Sequence, residues 1–515
     1  MMCFPVFRKW KILVESYELL TCATMEVVFP FMNKRISSST SMNMEERLCI
    51  RRAVEAKLNS DIIRYVGGVS FRSENKEETN EKFVEFLRKS CSLVNFSKMT
   101  KLDIMLPNIE INPGIMSPLI TDVLEELTLR QVSNVDGILD ILAKADNIKL
   151  KKLILNTDVT KSDAEKLAQA LCRIECVSIF SLTDEQQHLL FDSIANNNVK
   201  LKSLDISKEV DGGVIAQALH KLSEVSVTLD GENQTNIFFQ TIALGNEESK
   251  LQKLNIHGFN IFDVEANVLV EAVCKLNEVI FHDDLNQDQI EKLFGRISNG
   301  ENVNVKCLSI HDHSEFDTLN VDVLSRSVKN LNVLELALDY DEHVNAILQA
   351  ISNSDEVKLS KLSLKSTSCL EGLDENMLIR AVTKIKEVKF PKTPLPLKYQ
   401  ELIFKTIVNT EIKSLTLESL GMYFVNTDPN LLAEAAIKLV RLNIYIEGDE
   451  DDFDYLPQTL AVLDRVYCES DIRLEYLGME HLRYKDQFEY PSSKMEVIRR
   501  KLRKFSGPKK RSGVV

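Results

Sequence analysis

Short stretches with a fixed spacing of apolar residues recur along most of this chain. Each has apolar residues at its first, fourth and sixth positions and mostly polar residues between them, an outline written L-x-x-L-x-L. Alternation of apolar and polar positions predicts a β-strand with one buried face. The clear copies are "LEELTL" (124–129), "LKKLIL" (150–155), "IECVSI" (174–179), "LKSLDI" (201–206), "LSEVSV" (222–227), "LQKLNI" (251–256), "LNEVIF" (276–281), "VKCLSI" (305–310), "LNVLEL" (331–336), "LSKLSL" (359–364), "IKEVKF" (385–390), "IKSLTL" (412–417) and "LVRLNI" (439–444), with "MTKLDI" (99–104) in front and a decayed copy, "LDRVYC" (463–468), behind.

Amphipathic helical stretches such as "DAEKLAQALCRI" (163–174) and "PNLLAEAAIKL" (429–439) separate the copies. The period is tightest for every second copy, because those starting at 222, 276, 331, 385 and 439 lie 54 or 55 residues apart. The repeating unit is therefore a pair of non-identical repeats. One member has a helix like "LAEAAIKL" and the other a helix like "IEKLFGRISNG" (290–300).

One strand and one helix cannot bury their own leucines, but stacked neighbours can share a continuous core. That core would lie between a parallel sheet and an outer row of helices. Strands lie about 4.8 Å apart while helices need about 10 Å. The stack is therefore predicted to bend into a horseshoe with the strands inside.

This pattern resembles the leucine-rich repeat family, specifically its ribonuclease-inhibitor-like class of long, helix-containing, alternating repeats. The resemblance covers residues 99–468 and implies an α/β solenoid with an inner parallel sheet and outer helices. It implies no single function, because that class serves inhibitors, GTPase activators, ubiquitin-ligase adaptors and innate immune sensors. The chain departs from the family at the usual Asn three residues past the last apolar position, where four repeats have Asp158, Asp230, Asp284 and Asp339.

The residues before and after the repeats are predicted to form further segments. Residues 1–44 are expected to be a poorly ordered or wrongly assigned extension, and 45–98 a helical cap for the solenoid at 99–468. Residues 469–496 are expected to cap the other end. The stretch 497–515 has eight Lys and Arg residues and no acid, which favours a solvated basic tail, with a nuclear address or an anionic contact as alternatives.

Composition narrows the class of protein. The chain has 515 residues, 44% of them hydrophobic and 27% charged, and a net charge of −14, which argues against coating nucleic acid. Its ten cysteines include no CxxC pair, so we expect reduced thiols in a cytoplasmic or nuclear protein. No apolar run reaches the about 18–20 residues of a membrane span. The phosphate-loop, HExxH, GxSxG and GxGxxG motifs are missing, so we expect no enzyme and no cofactor.

The third and fifth positions of each motif, and the residue just after it, are predicted to point into the hollow of the horseshoe. Acids and bases are mixed there: Glu126, Asp205, Glu224, Glu278, Glu335, Glu387 and Glu418 against Arg130, Lys152, Lys253, Lys361, Lys365, Lys389 and Arg441. A mixed face suits a protein partner better than a nucleic-acid backbone. The predicted partner-binding residues are Lys253, His257, Glu278, Ile280, His282, Ser309, His311, Glu335, Lys361, Lys365, Glu387, Lys389, Arg441 and Tyr445.

Three consecutive repeats have His257, His282 and His311 at the equivalent position, which predicts a ladder of imidazoles about 5 Å apart. Asp283, Asp312 and His313 follow close by. Metal binding and a pH-sensitive partner contact are two readings. The favoured reading is that exposed histidines at strand ends need no ligand.

The sequence therefore predicts a non-enzymatic scaffold, monomeric when free, that binds a protein through the concave face. Two alternatives stay open at this point. The chain could be the ligand-sensing region of an innate-immune-receptor-like protein. It could instead be a regulator, either a ubiquitin-ligase substrate adaptor or a GTPase activator.

Overall fold

The architecture comes from a computed structural model. It describes residues 24–28, 68–72, 100–105, 113–122, 124–133, 135–145, 147–245, 249–258, 261–300, 302–311, 316, 319–338, 340–354, 358–365, 370–390, 395–411, 415–423, 427–445, 456–469, 472–480 and 504–506.

The strands are short and follow one another at intervals along the chain. They are β1 Thr24–Val28, β2 Gly68–Arg72, β3 Lys101–Met105, β4 Glu126–Arg130, β5 Lys152–Asn156, β6 Cys176–Ile179, β7 Ser203–Asp211, β8 Glu224–Asp230, β9 Lys253–His257, β10 Glu278–Phe281, β11 Cys307–Ile310, β12 Val333–Ala337, β13 Lys361–Lys365, β14 Glu387–Lys389, β15 Ser419–Tyr423, β16 Arg441–Tyr445, β17 Tyr476–Glu480 and β18 Lys504–Ser506.

Helices alternate with the strands from β3 onward. They are α1 Pro113–Asp122, α2 Asp136–Lys144, α3 Ala164–Leu171, α4 Asp184–Asn196, α5 Gly212–Ala216, α6 Glu232–Leu244, α7 Ala266–Lys275, α8 Gln287–Asn299, α9 Val321–Val328, α10 Asp341–Ser352, α11 Glu375–Lys384, α12 Leu397–Asn409, α13 Pro429–Ala436 and α14 Leu456–Cys468, with a 3₁₀ turn at Leu219–Lys221.

The chain divides into two compact units, residues 1–256 and 257–515. In the first unit, β2 to β8 each pair in parallel with the strand before them. In the second unit, β11 to β18 do the same. Within each unit, neighbouring helices pack against one another beside the sheet. This arrangement confirms the predicted α/β solenoid.

The repeat motif explains both the strands and the core. Nearly every motif begins its strand at the third position, and its fourth and sixth residues point toward the helices. In β9, Leu254 and Ile256 are fully buried, and so are Leu308 and Ile310 in β11. The backbone N–H groups at the second and third positions both donate to a carbonyl at the second position of the preceding repeat. Lys306 and Cys307, for example, donate to Asn277 O at 2.8 and 3.0 Å.

Two of the predicted strands are wrong. The described residues of "IKSLTL" (412–417), which are 415–417, form no strand, and 412–414 lie outside the described part. β15 lies at Ser419–Tyr423 and its motif is "LESLGM" (417–422). Glu418 therefore occupies the second position, where its N–H donates to Lys386 O, and it is not a residue of the sheet face. "LDRVYC" (463–468) lies in helix α14, because its apolar residues Leu463 and Val466 pack at helical spacing.

Parallel pairing also continues outside residues 99–468. β1 and β2 precede that range, and β17 and β18 follow it. β2 falls inside the predicted cap at 45–98, and β18 inside the predicted basic tail at 497–515. The helices predicted for 45–66 and 80–92 lie outside the described residues.

The helices alternate in length as the paired repeat predicted. The short set, α3, α5, α7, α9, α11 and α13, contains helices of 5 to 10 residues. The long set, α4, α6, α8, α10, α12 and α14, contains helices of 12 or 13 residues. Two neighbouring repeats therefore differ in structure, and the pair is the unit that recurs.

Buried polar side chains on the long helices connect each long helix to the preceding repeat. Each stands near the start of its helix and donates to carbonyls of the strand-to-helix loop one repeat earlier. Gln186 donates to Val159 O at 2.8 Å and Ser162 O at 2.9 Å. Gln289 donates to Ile261 O at 2.8 Å and Val264 O at 2.6 Å. His343 and Tyr399 make equivalent contacts with Leu319 O and Leu373 O.

The described cysteines, Cys172, Cys176, Cys274, Cys307 and Cys468, are free thiols. Burial raises the pKa of Cys172 and Cys274 to about 11, so both stay protonated at neutral pH. Within the described ranges, no helix has the length and apolarity that crossing a membrane requires.

Candidate functional site

The face of the second unit's sheet that lies opposite the helices, here called the strand face, contains most of the predicted partner-binding residues. The register of the strands sets them in rows. The third positions run Glu278, Cys307, Val333, Lys361, Glu387, Ser419 and Arg441. The fifth positions run Ile280, Ser309, Glu335, Ser363, Lys389, Gly421 and Asn443. Side chains of one row are about 4.8 Å apart, close enough to interact directly.

The histidine ladder forms at the ends of β9, β10 and β11. The His257 and His282 rings stack with centroids 3.7 Å apart and planes 9° from parallel. The His311 ring meets His282 edge-on, with centroids 4.6 Å apart, and the two Nδ1 atoms are 3.3 Å apart. Since two nitrogens at hydrogen-bond distance need one proton between them, one Nδ1 donates and the other accepts.

Asp283, the residue after His282, fixes the ladder to the preceding loop. Its Oδ2 accepts a hydrogen bond of 2.5 Å from Gly258 N, the amide that follows His257. The backbone of the first imidazole is therefore held by a residue beside the second. Sequence spacing predicted the ladder but not this contact.

Glu335 lies at the centre of the strand face. It is only 14% exposed, and it accepts from His311 Nε2 at 3.2 Å, Lys361 Nζ at 2.6 Å and Ser309 Oγ at 3.4 Å. The hydrogen bond from His311, followed by that from Lys361, holds the pKa of Glu335 far below its ordinary value, although burial opposes this. The carboxylate is therefore ionised at neutral pH and fully engaged within the protein.

The charges continue in alternating sign across β13 and β14. Lys361 Nζ also lies 4.0 Å from Glu387, and Lys389 lies 3.4 Å from the same carboxylate. Burial alone would lower the pKa of Lys361, but its hydrogen bond to Glu335 and the nearby carboxylates raise it. The line from His257 to Lys389 is thus one polar network, here called the His–Glu–Lys network: His257, His282, His311, Ser309, Glu335, Lys361, Glu387 and Lys389.

Other predicted residues lie apart from this network. Arg441 is exposed and stands two strands beyond Glu387. Lys253 belongs to the first unit. Lys365 and Tyr445 are strand residues whose side chains lie outside the described part, and Asp312 and His313 lie outside it entirely.

The first unit has its own mixed face. Lys101 and Lys152 flank Glu126 at 2.9 and 3.7 Å, and Arg130 lies 3.4 Å from Asp103. These pairs span neighbouring strands, so they tie adjacent repeats together. Their basic partners are largely exposed, whereas Glu126 and Asp103 are half-buried.

Metal binding at the ladder finds no support among the described residues, which include no group of three or more His, Cys, Asp or Glu side chains arranged to hold an ion. Cys307 is half-buried in β11.

No family model matches the chain, and no curated protein matches it. Two solved structures are similar to it. The complex of Rad7 and Elc1 in yeast has 12% identity and a TM-score of 0.37, covering 80% of this chain and 97% of that one. The Toll–Spatzle complex of Drosophila has 10% identity and a TM-score of 0.30, covering 76% of this chain and 57% of that one. We draw no functional conclusion from either likeness.

The repeats, the parallel sheet and the outer helices define the class of protein. The chain is an α/β solenoid of paired strand–helix repeats.

Proposed function

We propose that this chain is a non-enzymatic scaffold that binds a protein partner through the strand face of its second unit. The observation that carries the proposal is the composition of that face. It combines the His–Glu–Lys network with the half-buried apolar side chains Ile280 and Val333 and the exposed Arg441. Neutral patches beside charges of both signs suit a folded protein surface better than a polyanion.

We also propose that the repeats of this chain are of the ribonuclease-inhibitor-like class. What supports it is the regular alternation of short and long helices, which gives a unit of two repeats. We further propose that the protein is cytoplasmic and monomeric when free, with nuclear entry through the basic stretch at 497–515 as the alternative.

The residues of the His–Glu–Lys network hold the strand face together through hydrogen bonds and ion pairs, so a change to any of them would alter the face itself. The Glu335 carboxylate accepts hydrogen bonds from His311, Lys361 and Ser309. Replacing it with Lys would place two ammonium groups side by side and remove the acceptor of the His311 hydrogen bond, so it would disrupt the face before it tested binding. The informative changes are therefore at the ends of the third-position row, Glu278 and Arg441.

The experiment is affinity purification with three baits. The strand-face variant has Glu278→Lys and Arg441→Glu, which leaves the net charge unchanged. The control variant makes the same exchange on exposed helix residues, Glu434→Lys and Arg326→Glu. Circular dichroism first establishes that all three proteins are equally folded.

A partner that binds the wild type and the control but not the strand-face variant would support the proposal. Equal recovery on all three baits would overturn it. The identity of the partner then separates the kinds of regulator. A ubiquitin-ligase subunit would indicate an adaptor, and a GTPase whose hydrolysis accelerates on binding would indicate an activator.

A further inference from the structure

The hydrogen-bonded rings of His282 and His311, here called the imidazole pair, restrict where their protons can lie. The two Nδ1 atoms are 3.3 Å apart, and His311 Nε2 lies 3.2 Å from Glu335 Oε2. Because the ionised Glu335 carboxylate can only accept, His311 Nε2 must have a proton. A neutral imidazole has a single N–H, so the Nδ1 of His311 is bare and accepts from the Nδ1–H of His282. The contact with Glu335 therefore fixes the tautomers of both neutral rings.

The imidazole pair can take up one proton without losing its hydrogen bond. The added proton gives one ring an N–H at both nitrogens, and that ring donates from its Nδ1 while the other ring accepts at a bare Nδ1. A second proton leaves no bare Nδ1 in the pair. Two N–H groups would then face each other across 3.3 Å, with two positive charges side by side, so the contact is lost.

The two charges nearest the imidazole pair keep their state while the pair titrates. The hydrogen bond from His311 holds the pKa of Glu335 far below its ordinary value, and the carboxylates around Lys361 raise its pKa although burial opposes this. Histidine is the side chain that ordinarily titrates between about pH 5 and pH 8. The other titratable residues described on β10, β11 and β14, in the turn after β10 and at the end of β9 in this unit are His257, Glu278, Asp283, Asp284, Cys307, Glu387 and Lys389.

We propose that the imidazole pair is a pH-sensitive switch on the strand face, closed with up to one added proton and opened by a second. The backbone beside the rings is held, because Asp283 Oδ2 accepts from Gly258 N at 2.5 Å and ties the loops after β9 and β10 together. Opening therefore occurs by rotation of the His282 side chain. That rotation also removes the stack of His282 on His257, whose ring centroids are 3.7 Å apart.

The test follows the imidazoles of the whole chain by NMR after its eight histidines are labelled with ¹⁵N. Nitrogen shifts distinguish a protonated ring nitrogen from a bare one, so a titration from about pH 8 to about pH 5 counts the protons on the two Nδ1 atoms. We expect the pair to titrate in two steps separated by about one pH unit or more. One Nδ1 stays bare through the first step. Both have protons only after the second step, when the magnetisation transfer between the His257 and His282 rings is lost.

His282→Phe is the matched variant, because phenylalanine keeps a ring against His257 but has no nitrogen to face His311. His311 should then titrate in one step. His188→Phe is the control, since it removes an exposed histidine on α4 and should leave both steps of the imidazole pair unchanged. Circular dichroism first establishes that both variants are folded.

A single step for the imidazole pair in the wild type would overturn the proposal. Two steps that persist for His311 in His282→Phe would also overturn it, because the coupling would not then come from the facing nitrogens. If His282→Phe does not fold, the proton count in the wild type decides, and protons on both Nδ1 atoms after the first step would contradict the switch.

The consequence for binding rests on the proposed function. Opening the imidazole pair places positive charge on the strand face and changes the surface offered to a partner. A strand-face partner should therefore bind more weakly in acid to the wild type and lose most of this pH dependence with His282→Phe. The NMR titration needs no partner, so a failure of the switch and a failure of the proposed function are distinguishable.

Discussion

Replacing Gln289 with Met tests whether the buried side-chain amides of the long helices hold neighbouring repeats together. Gln289 is fully buried at the start of α8. Its Nε2 donates to Ile261 O at 2.8 Å, Phe262 O at 3.3 Å and Val264 O at 2.6 Å, and its Oε1 accepts from Asn286 N at 3.0 Å. Met has nearly the same length and volume, so the change removes hydrogen bonds without opening a cavity.

The expected loss follows from which groups lose a partner. Ile261 O also accepts from Val264 N, and Phe262 O from Asn286 Nδ2, so those two carbonyls keep a donor. Val264 O and Asn286 N each lose the hydrogen bond to Gln289. At about 1–3 kcal/mol for each of these two groups, the free energy of unfolding should fall by about 2–6 kcal/mol.

The assay is urea denaturation followed by circular dichroism, with amide hydrogen exchange to locate the change in residues 261–264 and 286. Gln349→Met, at an exposed position of α10, is the control and should shift stability by less than about 0.5 kcal/mol. Gln289→Glu adds a pH test. A carboxylate facing these carbonyls has a raised pKa, so its penalty should be relieved as pH falls. If Gln289→Met were as stable as the control, the amide would not tie the repeats together.

Three further changes test other parts of the solenoid. Leu254→Asp puts a charge at a fully buried position of β9 and should lower the free energy of unfolding by about 4 kcal/mol or more; an unchanged melting transition would mean that the register is wrong. Glu335→Gln should cost about 1–2 kcal/mol at pH 7. Because the folded pKa of Glu335 is depressed, its contribution is present above the ordinary value of 4.5 and is lost as pH falls below it, so acid titration of stability should be flatter in Glu335→Gln than in the wild type. Lys384→Met removes the donor to Ser352 O and Ser354 O at the end of α10 and should lower the free energy of unfolding by about 1 kcal/mol. Its control, Lys405→Met, breaks an exposed pair with Glu401 and should have little effect in the same denaturation measurement.

The repeat could be predicted from sequence because its signal is local and recurs. Apolar residues at positions four and six of the motif must face the helices in every copy, so one burial rule produces the same spacing many times. One of the two wrongly predicted strands lies in the segment 412–423, which contains two overlapping copies of the outline, starting at Ile412 and at Leu417. Local spacing fits both, and only pairing with Lys386 in the preceding repeat selects the second.

The rows of the strand face could also be predicted, since equivalent positions of neighbouring repeats must lie side by side. The contacts within the rows could not. Glu335 binds His311 from the seventh position of one repeat and Lys361 from the third position of another, so the network runs diagonally across three strands. Such a path depends on side-chain length and rotamer, which spacing does not encode.

The sequence by itself determined the class of fold, the two-repeat unit and the residues available on the strand face, because burial of a periodic apolar pattern decides all three. Tertiary structure alone decided which polar residues form hydrogen bonds or ion pairs inside the protein. Gln289 and Glu335 look like ordinary surface residues in the sequence. Their roles arise because neighbouring repeats bring them to carbonyls or charges some 25 residues away, where a buried polar group must find a partner.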